Sequence, residues 1–228
     1  MVREILETKR KALKINLDEP IYGTFAEIGA GQEVARNFFT AGAASGTVAK
    51  TMSAYDMVFS NSIYGIEKSG RYVTESRLDK MLYHEFNLLS ERLFGPKYDT
   101  KTFFAFACTV TTLNFNKTND PHGWLGIRFQ LTPGGEPNDI IFHVKLLDSD
   151  ASLQQNVLGI LGVNLVYAAY YYHDHIQSMI ESLADNLSAG SVEIDLITLS
   201  GPIFKDANNL LVNLYLIAKG FSGAAIFD

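Results

Sequence analysis

Cysteine is nearly absent. Cys108 is the one thiol in 228 residues, so no disulfide can close within the chain, and a reducing compartment is the simplest setting. Charge is scarce too. Asp, Glu, Lys and Arg make up 19% of the residues, and the 19 cationic side chains are outnumbered by 25 acidic ones, for a formal net charge of −6. A general nucleic-acid binder needs an excess of cations to displace phosphate counterions, which excludes that class. A membrane-length hydrophobic run is lacking. The most apolar stretch, Val157–Tyr172, carries Asn164 and is shorter than the roughly 20 residues needed to cross a bilayer, so it reads as a buried core helix. The opening MVREILETKRKALKIN has no apolar core and no small-residue cleavage site, and reads as a charged surface helix. These absences point to a cytoplasmic protein with no nucleic-acid partner and no membrane span.

Catalytic signatures are missing as well. There is no G-x-S-x-G elbow for a serine hydrolase. His84-Glu85 lacks the second histidine that a zincin places four residues later. In Gly42–Thr51, GAASGTVAKT, three residues separate the last glycine from the lysine, and a phosphate-binding loop allows none. Cys108 sits in the apolar run FFAFACTVTT and reads as a buried, inert thiol.

What is present is ordinary globular material: 47% of the residues are hydrophobic, enough for a real core. Thr74–Phe94 carries Leu78, Met81, Leu82, Phe86, Leu89 and Leu93 at three- and four-residue steps, which predicts one amphipathic helix, capped by Thr74 and stopped at Gly95-Pro96. Lys101–Phe115, Trp124–Leu131 and Ile140–Leu147 are rich in β-branched and aromatic residues, separated by the turn-prone NKTNDPHG and TPGGEPND. They predict an antiparallel meander over about residues 101–147. Ile21–Ile28 and Val192–Leu199 read as further strands, Gln32–Thr40 and Leu210–Ala218 as helices, and Ala224–Phe227 as a last buried strand. Thr47–Ser60 is ambiguous. Asp150 or Ser152 caps a long helical region to about Leu187, which Gly159, Gly162 or the HDH at 173–175 would kink or break. Phe103, Phe104, Phe106, Phe115, Trp124, Phe129 and Tyr170–Tyr172 supply the apolar faces. The expected fold class is α/β, with α+β as the alternative: one mixed sheet with helices packed on it, in a single domain over 1–228.

The segment that carries most information is Ile21–Gly46, IYGTFAEIGAGQEVARNFFTAGAASG. A strand runs through Glu27 into Gly29-Ala30-Gly31 and directly into a helix at Gln32. Such a turn lets backbone amides approach a cofactor at a helix start, as in the first motif of Rossmann-like methyltransferases. The third glycine position holds Glu33, and the meander downstream is not a run of alternating β-α units. The competing reading is that the glycines only let strand and helix pack closely. Asp148 and Asp150, at a strand end before a helix, are the catalytic candidates, against the simpler role of helix caps. His173 and His175 would share a face in a strand but not in a helix, and His122 lies in a predicted turn, so no metal ligands are assigned.

The run FAEIGAGQEVARNFFTAGAASGTVAKTMSAYDM, continued by HEFNLLSERL and GWLGIRFQL, resembles a group of uncharacterised bacterial proteins. Its members carry the labels "TonB-dependent receptor" or "nicotinate-nucleotide adenylyltransferase". The resemblance covers most of the chain and implies a shared fold, a cytoplasmic location and a chain that is the N-terminal part of a longer protein. It transfers no functional residues. The labels themselves need features absent here: an export signal and barrel for the first, an H-x-G-H motif for the second, where His122-Gly123 runs on into Trp124.

Three functions follow. The leading one is a cytoplasmic domain that acts by self-assembly into a homo-oligomer, or by binding, rather than by catalysis. The alternative is an enzyme or sensor that takes a small-molecule ligand, nucleotide- or S-adenosylmethionine-like, at Glu27, Gly29, Gly31 and Gln32. The third is a metal hydrolase using Asp148, Asp150 and a histidine. The cofactor is left open.

Overall fold

The computed structural model describes residues 3–223. The strand expected at Ala224–Phe227 lies outside them. Among the described residues, six strands form one mixed sheet in the order β2-β1-β3-β4-β5-β6: β1 (Ile21–Gly29), β2 (Val48–Ser53), β3 (Thr102–Val110), β4 (His122–Phe129), β5 (Asn138–Leu146) and β6 (Val192–Ser200). β1 pairs in parallel with both β2 and β3, and every later pairing is antiparallel. The predicted meander is present as β3-β4-β5. The N-terminal part, where the strand-turn-helix had suggested a nucleotide-binding fold and the downstream meander had argued against one, is a parallel unit wound to both sides of β1. Its crossover from β1 to β2 carries α2 (Gln32–Ala41), and that from β2 to β3 carries α3 (Met57–Tyr64) and α4 (Glu75–Arg92).

Alternation along the strands sends the two sets of side chains to opposite faces. Phe104, Phe106, Cys108 and Val110 of β3 join a large core with α2, α5 (Ala151–Tyr171) and α6 (Ile176–Leu183), and with α1 (Thr8–Leu17) and α7 (Asn209–Ala218) at its margins. Ala107 faces Leu78, Met81 and Leu82 of α4, and Phe103 and Ala105 face Phe86 and Leu89. Thr74 caps α4 as expected, its Oγ1 accepting from the Arg77 amide at 3.2 Å.

Several expectations are corrected. The ambiguous Thr47–Ser60 segment is strand β2 followed by the start of α3. Gly159 and Gly162 do not kink α5. A Cβ at Gly159 would come 2.7 Å from Glu33 Cβ, and one at Gly162 2.4 Å from Val34 Cγ2, so these glycines let α2 lie close against α5. The helical region breaks at the other expected place, the HDH at 173–175, where the His175 ring caps α6. Phe115, expected in a sheet face, is fully exposed. No helix among the described residues is long and apolar enough to cross a membrane.

Candidate functional site

Winding from β1 outward to β2, and then back across to β3, leaves a topological switch point between β1 and β3. In open α/β sheets the loops at the carboxyl ends of two such strands diverge and open a crevice. Here the crevice has a volume of about 320 Å³. Its walls are Gly29, Ala30 and Gln32 after β1, Val110–Asn114 after β3, Tyr55 after β2 and Gln155 near the start of α5. The volume lies at the lower end of the roughly 300–1,000 Å³ of ligand sites. No carboxylate, imidazole, amine or thiol belongs to this wall; its side-chain polar groups are amides and hydroxyls.

The glycines of the turn have specific tasks. Gly29 has φ +82°, and a Cβ there would lie 2.0 Å from the Val110 carbonyl oxygen of the neighbouring strand. Gly31 opens α2, and its Cβ would meet Cys108 Sγ at 2.3 Å and Glu27 Cγ at 3.0 Å. Both positions therefore serve close contact: backbone to backbone at Gly29, helix start to buried side chains at Gly31. Gln32 folds back over the turn. Its Oε1 accepts from the Gly31 amide at 3.2 Å, and its Nε2 donates to the Gly29 carbonyl at 2.8 Å. The floor of the turn is thus filled, and its outer rim faces the crevice.

Glu27 lies in that floor, almost wholly buried. Ser53 Oγ donates to its Oε2 at 2.9 Å, and Gln32 Nε2 reaches Ser53 Oγ at 3.3 Å. The chain Gln32–Ser53–Glu27 therefore links the crevice wall to a buried acid. The other oxygen, Oε1, is buried without a hydrogen-bond partner. Burial pushes the Glu27 carboxyl up from its usual value, against the hydroxyls of Ser53 and Thr51, which act in the opposite sense. A raised folded-state value means that the folded protein holds a proton the unfolded chain releases. This contribution to stability is complete below the unfolded value of about 4.3 and is lost as pH rises through the folded value. Glu27→Gln removes the penalty. Its melting temperature is expected to exceed that of the wild type at pH 8 and to match it at pH 4, as differential scanning calorimetry at the two pH values would report.

The remaining sequence candidates fall elsewhere. Asp150 is the N-cap of α5, its Oδ1 accepting from the Ser152 and Leu153 amides at 2.8 and 3.3 Å. Those bonds, after that from the Ser152 hydroxyl, hold its carboxyl below the usual range. The Asp148 carbonyl accepts from Gln154 at 2.7 Å. Neither aspartate lines the crevice. Cys108 is fully buried, and burial, with Glu27 adding to it, raises its thiol well above the usual range. His122, expected in a turn, is the first residue of β4. The crevice residues that sequence reasoning missed are Tyr55, Val110–Asn114 and Gln155. Next to Gln155, Gln154 Oε1 accepts from the Leu113 amide at 2.8 Å and ties the loop after β3 to α5.

No family model and no curated protein matches the chain. Several solved structures have a similar fold, and three are given by name. One is a competence or damage-inducible protein from Enterobacter asburiae, at a TM-score of 0.51 and 12% identity, covering 74% of this chain and 99% of that one. The second is a competence-damaged protein (CinA) superfamily protein from Klebsiella pneumoniae, at 0.51 and 11% identity, covering 80% and 99%. The third, a CinA superfamily protein from Enterobacter cloacae, gives 0.50 and 11%, covering 74% and 98%. These matches correct the resemblance drawn from the sequence: the structural neighbours are CinA-superfamily proteins, and neither earlier label fits them. An open mixed sheet with helices on both faces is also not the closed antiparallel barrel of an outer-membrane receptor. At such identities the likeness is one of fold.

Proposed function

We propose that this chain is a binding domain that takes a small, uncharged polar ligand in the crevice between the carboxyl ends of β1 and β3. The observation that carries this reading is the coincidence of a preformed crevice with the switch point of the sheet. The lining favours binding over catalysis, because its polar side chains are amides and hydroxyls, with no carboxylate, imidazole, amine or thiol among them. It also narrows the ligand class. A phosphate or carboxylate would find no cationic side chain in the wall, and Glu33 follows at the second position of α2. The nucleoside portion of a nucleotide- or S-adenosylmethionine-like molecule suits this wall better than its charged portion. Tyr55 can stack on a base, since its ring is 80% exposed at the rim.

A thermal-shift screen of nucleosides, nucleotides and S-adenosylmethionine tests the reading. Nucleosides are expected to raise the melting temperature. Gln155→Trp, a change at an exposed helix position that fills the crevice, is expected to abolish the shift while leaving the unliganded melting temperature within about 2 °C, as surface substitutions usually do. No shift with any compound, or shifts that persist in the variant, would refute it.

Self-assembly is the second reading, favoured by α3. Met57, Val58 and Phe59 are each more than half exposed, and Tyr55 and Ile66 flank them. Asp56 is the one charged residue between Ala54 and Ile66. A second copy of this chain can cover such a surface without stranding charges. Light scattering is expected to find a dimer that Val58→Glu dissociates. A strict monomer at 100 μM, well above the Kd of a stable dimer, would rule this reading out.

A further inference from the structure

The sheet closes one of its edges and leaves the other open. β6 forms the closed edge, and α7 takes up its outward backbone groups. Asn213 Oδ1 accepts from the Ile197 amide, and Asn213 Nδ2 donates to the Ile197 carbonyl, both at 2.8 Å. Asn209, one turn earlier on α7, serves Leu199 in the same way, at 2.9 and 3.1 Å. The Ile194 amide donates to the Phe221 carbonyl at 3.0 Å. Two side-chain amides on one helix face thus stand in for a further strand, which protects the edge from pairing with another chain.

β2 ends the sheet on the other side, next to β1. The register pairs Phe25 with Thr51 and Glu27 with Ser53, and the Ala54 amide donates to the Glu27 carbonyl at 2.8 Å. Backbone groups alternate in direction along a paired strand. The amides of Met52 and Ala54 therefore turn to β1, and the N–H and C=O groups of Thr51 and Ser53 turn outward. Both residues are exposed. Among the described residues no cap of the α7 kind covers them. The usual edge defences are missing from this stretch as well. It contains no proline, the register shift at Gly23-Thr24 lies before it, and its one charged side chain, Lys50, is held by the buried Glu85.

We propose that the open edge pairs with β2 of a second copy of this chain, antiparallel about a two-fold axis, so that two sheets join into one. This deepens the self-assembly reading, on which it rests, by naming the backbone that makes the contact. The strand is complementary to itself. With Thr51 of one copy opposite Ser53 of the other, each facing pair exchanges both of its hydrogen bonds, and the axis repeats the exchange. Every outward group of these two residues is then satisfied. Met52 meets Met52 at the axis and Lys50 meets Ala54, so no charge faces its like. The exposed apolar residues of α3 begin at Met57, four residues after β2 ends, so no more than about 14 Å of chain separates them from this edge. Pairing through β2 brings both α3 surfaces to one junction, where they exclude water from the new strand pair.

Light scattering and amide hydrogen exchange by NMR, on the full chain at 100 μM, test the proposal. The wild type is expected to be a dimer in which the Thr51 and Ser53 amides exchange at least about a hundredfold more slowly than unprotected amides. Thr51→Pro removes an outward donor and no bond to β1, a position where an edge strand accepts proline. It is expected to be a folded monomer, with circular dichroism reporting the fold. Thr51→Ser keeps the donor and is expected to remain a dimer. If Thr51→Pro does not fold, the exchange rates of the wild type decide alone. A wild-type monomer overturns this proposal together with the self-assembly reading. A dimer that persists in folded Thr51→Pro, or one whose Thr51 and Ser53 amides exchange unprotected, overturns edge pairing alone and leaves assembly to α3.

Discussion

Asp185→Ala is expected to lower the stability of the fold by about 3–5 kcal/mol, on the order of 10 °C in melting temperature. Asp185 is one carboxylate facing two cations, the buried Lys11 and the partly buried Arg3. Its Oδ2 receives Lys11 Nζ at 2.7 Å, and Arg3 grips it with both terminal nitrogens, Nη2 at 2.7 Å from Oδ1. Lys11 is fully buried in α1, where its ammonium also donates to Asn164 Oδ1 at 2.8 Å and Ser182 Oγ at 3.1 Å. Asn164 in turn donates to the carbonyls of Leu183 and Asp185 at 2.9 and 2.7 Å. The network fastens α1 and the end of α6 onto α5, and removing its anion leaves an ammonium in the core with no countercharge. Lys11→Met is expected to cost less, because Asp185 keeps Arg3 and the space is refilled by a side chain of similar length. Urea denaturation of both variants checks the order. A larger loss in Lys11→Met than in Asp185→Ala would show that this description of the network is wrong.

The second large effect belongs to the turn. Gly29→Ala should cost about 2–5 kcal/mol, since it adds left-handed backbone strain to a clash with the Val110 carbonyl that neither strand can relieve. Gly31→Ala should cost about 1–3 kcal/mol, because the atoms it meets are side-chain atoms, Cys108 Sγ nearest. That difference permits a rescue. Cys108→Ala removes Sγ, so the Gly31→Ala/Cys108→Ala pair should be more stable than the sum of the single changes predicts, by at least about 0.5 kcal/mol. Simple additivity would mean that the helix start does not rest on the β3 thiol.

How much of this could be read from the sequence depended on how local each cause was. The β3-β4-β5 meander announced itself through strand-forming residues between turn-prone segments, and α4 through its stripe from Leu78 to Leu89 and its Thr74 cap. β2 did not, because it is an edge strand whose residues are mostly half-exposed, so VAKTMS lacks clean alternation. Gly159 and Gly162 looked like helix breakers because their reason, α2 pressing on α5, lies more than a hundred residues away. The near wall of the crevice was visible as Glu27–Gln32. The far wall was not. Val110–Asn114 comes beside it through the pairing of Gly29 with Val110, a register that no local pattern encodes.

Backbone amide shifts measure ligand binding in the crevice directly. An ¹⁵N-labelled sample titrated with a nucleoside that raises the melting temperature should show its largest shifts at Gly29–Gln32 and Val110–Asn114, on opposite walls and in one saturating phase. Shifts confined to other segments, or none in either wall at saturation, would contradict it.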